Sequence, residues 1–165
     1  MLGARSLLIL AVMLLSATLP PAFTFGNSKP QVPADPWEII HIARENGEAQ
    51  VSRDKLRDPL ILAEADDVAY EISFYDCHLG RNCKTVLFRA KLLNPDWRGE
   101  HPEIEIIDDW NAAKLFGRAI LAESGHAILE HPVAMGPGMS RETMRATFRA
   151  WTRALEEFVD HVDFK

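Results

Sequence analysis

The sequence predicts an α+β domain in which helices cover an antiparallel sheet, and three patterns lead to that reading. Residues 68–77 and 84–92 each alternate apolar and polar side chains, as half-buried strands do. Residues 118–123 and 126–131 flank Ser124-Gly125, a two-residue turn in which glycine supplies positive φ. Met144, Phe148, Trp151, Leu155, Phe158 and Val162 then recur every three or four residues and mark the buried face of a long helix.

The first element precedes the fold. Arg5 and the apolar run Leu7–Leu15, followed by Pro20-Pro21, have the pattern of a secretory signal peptide. Crossing a bilayer takes about 20 apolar residues, and Ser16, Thr18 and the prolines interrupt the run before that. Residues 1–26 are therefore expected to be cleaved, leaving no membrane span and a periplasmic or secreted protein. Ala22-Phe23-Thr24 and Thr24-Phe25-Gly26 both offer small residues for cleavage, and no cysteine follows that would carry a lipid. Residues 27–34, with two prolines and no periodicity, read as an extended linker. Residues 35–165 form the domain, long enough to bury roughly two thirds of the unfolded chain's surface in one core.

Asp35-Pro36-Trp37-Glu38 combines an N-cap acceptor, proline at the first helical position and glutamate three residues after the cap. The helix is expected to reach Asn46, with Gly47 closing it and Trp37, Ile40 and Ala43 facing inward. Short strands are expected at 49–53 and 60–64. In the two longer runs, pairing Cys77 with Cys83 sets Phe74 against Val86, Ile72 against Phe88, Tyr70 against Ala90 and Val68 against Leu92. One register thus puts every apolar pair on one face and Glu71 opposite Arg89 on the other. Downstream, 103–106 alternates like a short strand, Asp108 or Asp109 can cap a helix over 110–116 that stops at Gly117, and Gly136-Pro137-Gly138 ends the strand region before Ser140 caps the last helix.

Composition narrows the function. The chain has 165 residues, 47% hydrophobic and 25% charged, with 24 Asp+Glu against 18 Lys+Arg. That describes a soluble domain and excludes a collagenous, disordered or disulfide-dense chain. Loss of Arg5 with the signal reduces 18 basic residues to 17, a formal charge of −7 that disfavours nucleic acid.

Few residues have chemical promise. Cys77 and Cys83 close a short loop at the end of the predicted hairpin and share a face by parity, so in an exported chain they are expected to form a disulfide. A redox-active pair would have C-x-x-C at a helix start. A metal site would need Cys77, His78 and Cys83 with one of His41, His101, His126, His131 or His161, a poor match to zinc spacings. Ser124 and Ser140 have turn and cap roles, and Asp66-Asp67 and Asp108-Asp109 stand where turns and caps favour aspartate. No catalytic residue and no metal ligand is therefore assigned. Arg141, Arg145, Arg149 and Arg153 recur every four residues on the last helix, a candidate partner-binding ridge on an otherwise acidic protein. The apolar stripe beside it is expected to pack on the chain's own sheet rather than on a second copy.

Together, Arg57–Ile61, Tyr70–Cys77, Cys83–Phe88, Trp110-Asn111, Arg118–Leu121 and Gly136–Ser140 ahead of a helix carrying Trp151 resemble the YbjN family over nearly all of residues 35–165. The resemblance implies a fold similar to type III secretion chaperones, a loosely described role in regulating sensory transduction, and no recognised catalytic residues. The expected protein is an exported, non-enzymatic, regulatory or chaperone-like domain with no cofactor. It would bind a protein partner still to be identified, or a second copy of itself as a homodimer. The alternative is a small hydrolase or metal-dependent enzyme whose histidines meet only in the fold.

Overall fold

The computed structural model describes residue 32 and residues 34–92, 104–136 and 139–162. The expected signal segment, most of the linker, His101 and Pro137-Gly138 lie outside the described residues. Val32 and Ala34, at the end of the stretch read as linker, are buried in the core, and the Val32 amide donates to the Met139 carbonyl.

Among the described residues, three helices and six strands follow in the order α1 (Pro36–Ala43), β1 (Glu48–Arg53), β2 (Pro59–Ala65), β3 (Val68–Tyr75), β4 (Thr85–Leu92), α2 (Ile104–Ala113), β5 (Arg118–Leu121), β6 (Ala127–Ala134) and α3 (Arg141–His161). The strands make one antiparallel sheet in the spatial order β1-β2-β3-β4-β6-β5. The fold is α+β, as the patterns predict.

Pairing of β3 with β4 follows the predicted register from Tyr70 opposite Ala90 to Tyr75 opposite Thr85. The reason is periodicity: a slip of one residue would turn Ile72, Phe74, Val86 and Phe88 out of the core. One row, Ala49, Ala63, Tyr70, Ala90, Leu129 and Ala119, crosses all six strands on the helix-covered side. Its alanines leave room for α3, whose Trp151 packs 5.7 Å from the Tyr70 ring and 5.5 Å from Phe88, while Phe148 meets Phe88 edge-on at 5.0 Å. All six residues of the α3 stripe are buried within this one chain. The opposite side of the sheet carries Gln50, Leu62, Glu71, Arg89, Glu130 and Arg118 in one row, with Arg89 bonded to Glu130 and 4.0 Å from Glu71.

Four local expectations are corrected. Helix α1 ends at Ala43, and Asn46 folds back to donate to the Ile42 carbonyl at 2.9 Å. Its buried stripe is Pro36, Ile39, Ile40 and Ala43 with Ile42, so Trp37, a turn's fraction away, is 61% exposed. Residues 104–106 are helical rather than extended: Ile107 and Trp110, three apart, anchor α2, and Asp108 and Asp109 lie inside it. The hairpin of β5 and β6 turns through Glu123-Ser124-Gly125, not two residues, because Ala122 pairs with His126 and Gly125 takes φ 78°. That register puts Ala119, Ala127 and Leu129 together on the core side. The Asp66-Asp67 turn does follow the expected chemistry, with φ of 49° and 63°. Gly47 is needed where it stands, since a Cβ there would lie 1.9 Å from the Glu64 carbonyl oxygen.

Candidate functional site

The groove that gathers Arg149 and Arg153 of the arginine ridge lies between α2 and α3. Helix α2 is fixed by its own residues. The Trp110 indole donates to the Gly117 carbonyl at 2.9 Å and packs edge-on against Phe158 at 4.9 Å. The Asn111 amide accepts from the Ala119 N–H at 2.8 Å and donates to the Ala119 carbonyl at 3.0 Å, acting as a further strand partner for the edge of β5. His161 adds a contact of 2.8 Å to the Ile106 carbonyl.

Between the two helices lies a groove of about 620 Å³. Ala113, Ala150 and Ala154 line it with Trp110 and Phe116, and their small side chains are why there is space. Leu115 at the lip is fully exposed. Lys114, Arg149 and Arg153 supply positive charge around the opening. Lys114 bonds Glu157 at 2.7 Å while standing 5.3 Å over the Trp110 ring, and this pairing holds the Glu157 carboxyl below its ordinary range.

The arginine ridge is divided by this geometry. Arg141 pairs with Glu38 at 3.0 Å and connects α3 to α1, while Arg145 holds Glu45, in the turn just after α1, through two bonds of 2.7 Å. The Arg145 fork lowers the Glu45 pKa. Arg149 and Arg153 face the groove instead, and Arg149 makes no ion pair among the described residues. The groove's other members, Lys114, Trp110 and Phe116, escaped sequence reasoning. The Trp110-Asn111 pair was visible as a motif fragment, but nothing local said that it would meet α3.

Cys77 and Cys83 are joined, with sulfurs 2.15 Å apart, below a tight turn in which Leu79 and Gly80 both take positive φ. The described histidines do not converge. His41 is exposed on α1, His78 sits in the β3–β4 turn, and His126 touches the Ser124 carbonyl at 2.9 Å. His131 stacks on Phe116 at 3.7 Å, where burial lowers its pKa. Among the described residues no group of three His, Cys, Asp or Glu side chains is placed to hold a metal ion. Ser140 accepts from the Thr143 amide at 3.0 Å, the helix-cap role expected of it. No helix among the described residues is long and apolar enough to cross a membrane.

The family question is decided by extent. Residues 38–164, most of the chain, match the YbjN family, described as "Putative bacterial sensory transduction regulator". This chain belongs to the YbjN family. The resemblance seen in short fragments is thus a match of the whole domain, including both helices of the groove. No curated protein matches the chain. Among solved structures, the crystal structure of the Yersinia pestis type III secretion chaperone SycH, in complex with a stable fragment of YscM2, is similar at 12% identity and a TM-score of 0.42. The match covers 77% of this chain and 97% of that one.

Proposed function

We propose that this YbjN-family protein is an exported, non-enzymatic binding domain that acts on a protein partner in a regulatory or chaperone-like way. The observation that carries the reading is the α2–α3 groove, where Arg149 of a highly charged helix has no ion-pair partner among the described residues beside an exposed Leu115. An unpaired guanidinium next to exposed apolar surface is typical of a docking site, because arginine and large apolar groups give protein contacts most of their energy. The family description, a regulator of sensory transduction, is consistent with a protein that works by contact. Export is supported by the N-terminal pattern and by a cysteine pair joined at a hairpin base, chemistry that persists in oxidising compartments.

In-cell crosslinking and affinity capture of the mature protein from the cell envelope test the reading. A stoichiometric partner, or a second copy, is expected. Absence of any partner or self-association, together with turnover of a substrate by purified protein, would overturn it. Charge reversal at Arg145 is a poor probe, because it also breaks the bond to Glu45 that ties α3 to the turn after α1. Reversal at Arg149 and Arg153 leaves that contact whole.

A further inference from the structure

Resting on that reading, we infer that the groove between α2 and α3 receives an acidic peptide segment bearing one large apolar side chain. Three features specify this occupant. Charge comes first. Lys114, Arg149 and Arg153 surround the opening, while Glu157, the one acid lining it among the described residues, is already bonded to Lys114. In a chain of net charge −6 this is a local positive site, and it selects carboxylates over cations. Spacing is second. Arg149 and Arg153 stand one helical turn apart on α3, so they can meet two carboxylates at a similar separation. Shape is third, since the alanine-floored space beside Trp110 and Phe116 has room for a leucine-sized or aromatic side chain, and Leu115 at the lip would be covered as it enters.

The same features argue against an anionic bilayer as the occupant. A concave groove between two helices receives a side chain, whereas a bilayer needs a protruding surface, and the acidic remainder of the molecule would be repelled by it.

The test uses the mature protein and a labelled helical peptide with leucines on one face and glutamates beside them. A glutamine-for-glutamate analogue and vesicles of one part phosphatidylserine to four parts phosphatidylcholine serve as competing arms. Expected results are salt-sensitive binding of the glutamate peptide, roughly tenfold weaker binding by the analogue, and a similar loss in Arg149→Glu/Arg153→Glu and in Leu115→Ser. Lys91→Glu, on the exposed sheet side away from the groove, should bind as the parent does. Far-ultraviolet circular dichroism establishes that each variant is folded. Equal binding of both peptides, undiminished binding by the arginine variant, or preference for the vesicles would overturn the inference. Should envelope capture yield a partner whose crosslinks avoid residues 113–116 and 149–157, the binding function stands and the groove assignment falls. Should capture yield neither a partner nor self-association while the purified protein turns over a substrate, the function itself falls.

Discussion

Tyr70 and Asn111 illustrate how single side chains set local stability. The Tyr70 hydroxyl is buried without a protein partner among the described residues, and burial pushes its pKa from 10.0 up to about 12. An acid whose folded pKa is raised favours the folded state while it remains neutral. Its contribution is therefore complete below pH 10 and disappears as pH rises from 10 to 12, a loss of about 2–3 kcal/mol. Tyr70→Phe should unfold at pH 7 no lower in temperature than the parent and should flatten the stability profile above pH 10, both readable by thermal melts. Asn111→Ala should cost about 1–2 kcal/mol, because the Ala119 amide and carbonyl lose their partner together. Faster hydrogen exchange at Ala119, with β3 and β4 unchanged, is the accompanying signature. These bonds were not legible in the sequence: an asparagine on a helix says nothing about which strand edge it will reach.

Elements are held in two ways, by buried apolar faces and by a few specific links. Phe148→Ala should destabilise by about 3–5 kcal/mol, since a ring packed against Phe88 leaves a cavity that the sheet cannot collapse to fill. Denaturant titration measures it. Reducing the Cys77–Cys83 bond, or replacing both cysteines by serine, should cost about 2–3 kcal/mol in the chain-entropy account while leaving the register of β3 and β4 intact. A shift in the denaturation midpoint without loss of strand amide protection is the expected result. Periodicity made β3, β4 and α3 readable at this scale, because each shows one face to a core and the other to water. It failed at 104–106, where a brief alternation is satisfied equally by the start of a helix anchored through Ile107 and Trp110. It failed again at Trp37, where two apolar stripes were available and the helix buried the one containing Pro36, Ile39, Ile40 and Ala43.

For the molecule as a whole, the asymmetry of its surfaces matters most. One side of the sheet is covered by helices and the other is a mixed face, carrying Leu60, Leu62, Leu87, Ile120 and Ile128 beside the Glu71, Arg89 and Glu130 cluster. One edge, β5, is closed by Asn111. The proposed export predicts that mass spectrometry of the native protein finds a chain lacking the first 24 or 26 residues with no free thiol; an intact precursor with both thiols reduced would sink it.

Read alone, the amino-acid order determined the fold class, the register of the central hairpin, the buried stripe of the last helix and the pairing of the two cysteines. Each of these depends on spacing along the chain, and spacing survives without coordinates. Only the tertiary structure decided how the arginine ridge divides. Arg141 and Arg145 meet Glu38 and Glu45, about a hundred residues away, while Arg149 and Arg153 line a groove shared with the end of α2. Four residues evenly spaced on one helix look equivalent in sequence. What differs is the element packed beside each, and that is set by how the whole apolar core closes.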